Sequence, residues 1–288
     1  MQIAKTITEA RAMRSTTPGK VALIPTMGAL HDGHLSLVAE AFNYADEVIF
    51  YIFVNPTQFA PHEDFDSYPR NIDDDLAKLA SVGISKVFMP TVDEIYPPEN
   101  VPFEIDVPNL NDILEGKHRP HFFGGVCRVL TKMFNIIQPH YAIFGQKDYQ
   151  QLQIITALVR DTNMPINIIG APIIRESDGL AMSSRNVYLS EEERTHATAL
   201  YKALQQAKNL IETAGETDPA AVESAMHDIL SAHNFKIDYA TVRHPHTLQP
   251  LDCIEPNLTG GVVALIAAHL GNTRLIDNMI IASPKNDA

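Results

Sequence analysis

Apolar and polar positions change rhythm several times along the chain, and each change marks a predicted element. The run VALIPT at 21–26 is apolar and ends at Gly28, and LSLVAEAF after His34 carries helical spacing, so a strand, a turn and a helix follow in that order. The pattern then repeats. VIFYIFV at 48–54 reads as a buried strand, IDDDLAKLASVG at 72–83 as a helix closed by Gly83, and KVFMP at 86–90 as the next strand. Helical spacing returns in VCRVLTKMFNIIQ at 126–138, followed by strand YAIFG at 141–145, helix YQQLQIITALVRD at 149–161 and strand INIIGAPII at 166–174. Strands alternating with helices predict a parallel sheet covered on both faces, the Rossmann-like α/β class.

From about Ser177 the rhythm changes. Ser190 with Glu193 makes a capping box for a long helix through Glu212, and the polar break TAGETDP at 213–219 separates it from a second helix. Strand candidates follow near 236–243, 262–268 and 273–280. Helices first and strands last predict a smaller α+β domain, with domains at 1–176 and 177–288. No repeat or low-complexity tract is evident.

Composition narrows the partners. A chain of 288 residues with 45% hydrophobic content is long enough for one large or two unequal domains. Its 22 basic and 35 acidic residues leave a net charge of −13, which argues against nucleic acid or an anionic membrane as the main partner. Cys127 and Cys253 lie far apart in apolar stretches, so both are expected as buried thiols in a reducing compartment, with no disulfide and no Cys-based zinc site. The N-terminus interleaves charge with apolar residues, unlike a secretory signal. The longest apolar run, at 262–268, is far short of the roughly 20 residues a spanning helix needs.

The sharpest chemical signal is PTMGALHDGHL at 25–35. Gly28 and Gly33 allow close approach of a ligand to backbone, and the helix start offers unpaired N–H groups and a positive dipole end. His31 and His34, three apart, share one side of the first turn. That dipole disfavours imidazolium, so both are expected as neutral N–H donors to a phosphate oxygen. A plain glycine turn and a zinc pair are the competing readings; no further metal ligands are obvious nearby, which favours phosphate.

GQKDYQQ at 145–151 follows a strand, at the edge where ligands of such folds collect; Lys147 suits phosphate and Asp148 ribose hydroxyls, the competing reading being a solvated helix start capped by Asp. MSSRN at 182–186 offers two hydroxyls and an Arg fork suited to the β and γ phosphates of ATP, although such a turn is often only a polar loop. Asp73, Asp74 and Asp75 open a predicted helix, where they complement the dipole; the functional alternative is help from Asp74 and Asp75 in placing Mg²⁺. Gln58 in VNPTQF and the amides at 150–151 could bind a substrate carboxylate without drawing off as much charge as an arginine.

Together PTMGALHDGHL, VNPTQF, YPRNIDDDL, FGQKDYQQL, AMSSRNVYLS and TRLIDNM resemble the pantoate:β-alanine ligases, or pantothenate synthetases, in order through most of the chain. The paired-histidine element is shared with the wider nucleotidyltransferase superfamily. The resemblance implies ATP-dependent condensation of (R)-pantoate with β-alanine to pantothenate through a pantoyl-adenylate, with release of AMP and pyrophosphate, a step toward coenzyme A. It implies ATP contacts at Met27, Gly28, Ala29, Leu30, His31, Asp32, Gly33 and His34, at Gly145, Gln146, Lys147 and Asp148, and at Met182, Ser183, Ser184 and Arg185. Gln58 and Gln151 match the family's pantoate contacts. His34 matches its catalytic histidine, with His31, Lys147 and Arg185 beside it in the chemistry. The resemblance further implies a C-terminal domain covering the site, a homodimer and a cytoplasmic location. The rival within catalysis is adenylyl transfer to a phosphate-bearing acceptor, and outside it an ATP-binding regulator. The chain departs from the family at RPHFFGGV, 119–126, where His121 stands one place early and Phe122 fills the usual histidine slot; His121 is therefore left out of the site.

Overall fold

The structure, a computed structural model, describes residues 1–59, 65 and 68–284. Two short elements precede those expected from the pattern: β1 (Gln2–Ala4) and α1 (Ile7–Ser15), the latter opened by a capping box between Thr6 and Glu9. Then come β2 (Val21–Thr26), α2 (Asp32–Ala41), β3 (Glu47–Ile52), α3 (Ile72–Ser81) and β4 (Lys86–Phe88). Two single turns, α4 (Val92–Ile95) and α5 (Glu115–His118), lead to α6 (Phe122–Ile137), β5 (Tyr141–Gly145), α7 (Tyr149–Asp161) and β6 (Asn167–Ala171).

The strands form one parallel sheet in the order β1-β4-β3-β2-β5-β6. Its strands are apolar on both faces because both are covered. Val21, Leu23, Ile49 and Tyr51 pack on one side with Met13 of α1, Met133 and Phe134 of α6 and Ile155 of α7. The alternate residues Ala22, Ile24, Val48 and Phe50 pack on the other with Leu37 and Val38 of α2 and Leu79 of α3. From β2 the chain order runs outward in both directions, to β3 and β4 on one side and to β5 and β6 on the other. The gap between β2 and β5 is therefore the topological switch point, where loops leaving the strand ends part and a ligand can enter.

The chain forms two compact units, Met1–Gln146 with Gln150–Pro172, and Lys147–Tyr149 with Ile173–Ala288. The second unit holds α8 (Glu191–Ala197), α9 (Ala199–Glu212), α10 (Pro219–Ser231), β7 (Lys236–Arg243), β8 (Val262–Leu270) and β9 (Thr273–Ile281), with the strands antiparallel in the order β7-β8-β9. Leu200, Ala203, Leu204, Ala207 and Ile211 give α9 one apolar stripe at helical spacing, packed with Val222 and Met226 of α10 and with alternate residues of β8.

Two expectations are corrected. The single long helix from Ser190 to Glu212 is two helices, which meet at Thr198, the C-cap of α8 and the N-cap of α9. Cys253 is exposed in the connection from β7 to β8, because its apolar neighbours belong to a bend rather than a strand. Cys127 is buried in α6, and burial pushes its thiol up to about 12. Among the described residues no helix is long and apolar enough to cross a membrane.

Candidate active site

β2 delivers the chain to the loop 27–31. Gly28 has φ +84°, and a Cβ there would stand 3.0 Å from Asp75 Oδ2, so only glycine fits without strain. Ala29 is also left-handed, with φ +51°. The helix α2 then starts with a capping box made of histidines. His31 is the N-cap, and its Nδ1 accepts from Gly33 N at 3.1 Å; Nδ1 of His34 accepts from His31 N at 3.4 Å. The rings lie 4.1 Å apart between centroids.

The cap decides the tautomer. With Nδ1 an acceptor in both rings, the proton of each neutral imidazole is on Nε2, so both residues are Nε2–H donors. A second proton would remove both cap acceptors beside a positive helix end. The pair therefore has the character of two neutral donors at the head of a helix, next to Asp32, Gly33 and their N–H groups.

Gln58 is positioned by a buried amide that the sequence reading passed over. Asn55, 1% exposed, donates from Nδ2 to Gln58 Oε1 at 3.0 Å and to Gly125 O at 3.1 Å, and its Oδ1 accepts from Thr57 Oγ1 and Tyr96 OH, both at 2.9 Å. Gln58 Nε2 lies 3.0 Å from Met27 Sδ, a weak acceptor that a carboxylate oxygen could replace. Gly125 lets α6 approach here: a Cβ on it would collide with Thr57 O. An Asx-turn pattern, Asn55 with Thr57 two residues on, was the signal for this hub.

The two adjacent glutamines differ in their surroundings. Gln150 is buried, accepts from Glu115 N at 3.0 Å and donates to Leu110 O at 2.6 Å and Ile113 O at 2.8 Å, so its amide is spent on the loop before α5. Gln151 is half-buried on the next position of α7. Gly145 ends β5, and Gln146 beyond it donates to Gly170 O at 3.3 Å. His121 takes a left-handed conformation, φ 73°, as the N-cap of α6, while Arg119 stacks on Phe122 at 3.8 Å and donates to Gln58 O at 3.5 Å.

In the second unit, Lys147 is half-buried and its carbonyl accepts from Asn278 Nδ2 at 2.8 Å; Asp148 is exposed. Tyr149 OH donates to Pro245 O at 3.0 Å, and burial pushes the phenol up to about 12. Ser183 caps a short 3₁₀ turn, Ser184–Tyr188, by accepting from Arg185 N at 3.3 Å. Met182 N donates to Ile174 O, and Asn186 donates to Glu176 and to Ala181 O, which pins both ends of the MSSRN turn. Beside it Arg175 forks onto Asp277 at 2.7 and 3.0 Å and stacks on Tyr201.

Asp74 and Asp75, expected to help place Mg²⁺, are both engaged by neighbouring groups. Asp74 pairs with Lys78 at 2.6 Å. Asp75 is 2% exposed, and its two oxygens accept from Ala29 N at 2.9 Å and Leu30 N at 2.7 Å. Among the described residues no group of three or more His, Cys, Asp or Glu side chains could hold a metal ion. A magnesium ion here would depend on the phosphates of a nucleotide and on water for most of its ligands.

Known proteins resemble this chain along nearly its whole length. The family model described as pantoate-beta-alanine ligase matches residues 2–280. A pantothenate synthetase of Fervidobacterium nodosum is 47% identical over 284 residues, covering 98% of this chain and 99% of the relative. The crystal structure of pantothenate synthetase from Thermus thermophilus superposes with a TM-score of 0.91 at 39% identity, covering 98% of this chain and 100% of that one. That of pantoate-beta-alanine ligase from Francisella tularensis, complexed with beta-gamma ATP and beta-alanine, does so with a TM-score of 0.79 at 33% identity, covering 97% of each.

Proposed function

This chain belongs to the pantoate-beta-alanine ligase family, and on that premise we propose how its residues divide the work of joining (R)-pantoate to β-alanine with ATP. A carboxylate is a poor electrophile toward an amine and must first gain a leaving group. A pantoate carboxylate oxygen attacks the α-phosphorus, the new O–P bond forms, and the bond to pyrophosphate breaks with its electron pair on the departing oxygen. The β-alanine nitrogen then attacks the acyl carbon of the pantoyl-adenylate, gives up a proton, and AMP leaves.

The observation that carries this reading is the histidine capping box. It offers two neutral Nε2–H donors at the carboxyl end of β2, and an α-phosphate seated against them would be stabilised as its charge grows during attack. We assign His34 and His31 to that phosphate, with Met27, Gly28, Ala29, Leu30, Asp32 and Gly33 forming the nucleotide's backbone cradle. Gln58 and Gln151 take the pantoate. Lys147, Ser183, Ser184 and Arg185 take the leaving pyrophosphate, and Gly145, Gln146, Asp148 and Met182 the rest of the nucleotide. Magnesium accompanying the nucleotide would be held largely by its phosphates and water and would help neutralise the leaving pyrophosphate; the residue roles above do not depend on it.

A homodimer and a cytoplasmic location complete the proposal; light scattering reads the first and cell fractionation the second. The rival adenylyl transfer to a phosphate-bearing acceptor would yield a dinucleotide and no AMP. The deciding assay follows AMP with pantoate and β-alanine each omitted in turn. AMP is expected only with both, and exchange of pyrophosphate into ATP only with pantoate. Exchange that runs equally well without pantoate contradicts the adenylate.

A further inference from the structure

The peptide units just ahead of the paired histidines are held from one helix face. Gly28 and Ala29 are both left-handed, at φ +84° and +51°, and L side chains rarely adopt that conformation without support. The turn they make brings the N–H groups of Ala29 and Leu30 onto a single carboxylate, that of Asp75, which reaches them from the first turn of α3. One helical turn further on, Lys78 donates to Leu30 O at 2.8 Å. Residues three apart lie on one face of a helix, so acid and base work as a pair of jaws.

The consequence passes directly to the histidines. The Leu30 carbonyl and the His31 N–H belong to one planar peptide unit. Lys78 holds that plane at its oxygen, and Nδ1 of His34 receives its N–H. Its tilt is thereby set at both ends, and with it the direction in which the His31 ring leaves the backbone. Both oxygens of Asp75 are aimed at backbone N–H groups, one on each, so the carboxylate spans the turn.

We infer that Asp75, assisted by Lys78, is a positioning residue: it clamps the left-handed turn at Ala29–Leu30 and so aims the His31/His34 donor pair, without touching a reacting atom. The role rests on the reading of those histidines as phosphate donors. Only a carboxylate serves, since an asparagine amide would turn an N–H toward one of the two N–H groups it must accept.

Asp75→Asn tests the inference, with Lys78→Met as a companion that removes one jaw while leaving the buried acid in place. Displacement of an aimed group by about 1 Å costs on the order of 10²-fold in rate, so Asp75→Asn is expected to lose that much kcat. The KM for β-alanine and the magnesium concentration for half-maximal rate should stay unchanged. NMR of the labelled imidazole nitrogens, taken without nucleotide, should show wild-type His31 and His34 as Nε2–H tautomers and the variant as a tautomer mixture. Lys78→Met should move both readouts the same way by less, and it carries the test alone should Asp75→Asn not fold. Wild-type turnover with unchanged tautomers overturns the clamp. So does a raised magnesium requirement with tautomers intact, which would make Asp75 a cation ligand. The NMR readout needs no reaction, so normal turnover in His34→Ala would sink the phosphate reading while leaving the clamp standing.

Discussion

Among the described residues each unit hides one aspartate from water, and the two are satisfied in opposite ways. Asp75 in the first unit and Asp277 in the second are both 2% exposed. Asp75 meets two neutral backbone N–H groups of a loop. Asp277 meets the guanidinium of Arg175 in a bidentate fork, with Asn278 N a third donor at 2.8 Å. Burial pushes the Asp277 carboxyl up, and the fork pulls against it. The difference follows from what each has to hold. A carboxylate alone can gather two N–H groups of one turn. A charge fork is needed to tie distant segments, since Arg175 also donates to Gly179 O and Asn278 O, and Asn278 in turn reaches Lys147. In both units the buried acid organises backbone ahead of the residues assigned to chemistry.

The largest effect is expected where the fork is broken. Asp277→Ala leaves Arg175 without its partner and should cost about 3–5 kcal/mol of stability in urea unfolding, whereas replacing both partners by apolar residues should cost far less. Equal losses in the single and double variants would show that packing, not charge, holds this region. His34→Ala comes next. It should lower turnover roughly 10²–10³-fold if the ring stabilises growing charge, with stability reduced only by the lost cap. Near-normal turnover removes the ring from the mechanism.

A third effect probes packing between helix and loop in the first unit. Gly125→Ala pushes a methyl into Thr57 O and should destabilise by about 1–3 kcal/mol through overpacking. It should also raise the KM for pantoate, because Gln58 shares that turn; an unchanged KM would separate Gln58 from the acid. The smallest effect belongs to an exposed pair. The Arg194 guanidinium hydrogen-bonded to Asp178 holds that carboxyl below its ordinary value. Its folded state therefore favours the charged form, so the stabilisation is present above the usual aspartate range and is lost as pH falls through the lowered value. Solvent screening limits Asp178→Asn to at most about 1 kcal/mol at neutral pH. Thermal unfolding against pH should show the gap to wild type closing in acid; a gap that persists there points to the loop rather than the charge.

Much of this could be read from residue order. β2, β5, α7 and β7 occupy the stretches their periodicity marked, because a strand or helix with one or two buried faces writes its period into neighbouring positions. The histidine pair was legible for the same reason: a cap is a contact between residues three apart. The structural role of Gln150 was not, since it differs from Gln151 only in which way α7 turns its side chain. Cys253 was misjudged because apolar neighbours do not say whether they lie in a strand or a bend.

Order along the chain was thus enough for most of the elements and for the fold class, which depend on residues within a turn or a strand of one another. Assigning Asp75 to the turn at Ala29 and Leu30, Asn55 to Gln58 and Gly125, and Asn278 to Lys147 took the packed molecule. Those partners are distant in the chain or differ from their neighbours only in orientation, and a side chain carries no mark of which distant backbone group it will meet until the sheet and its covering helices bring them within hydrogen-bond reach.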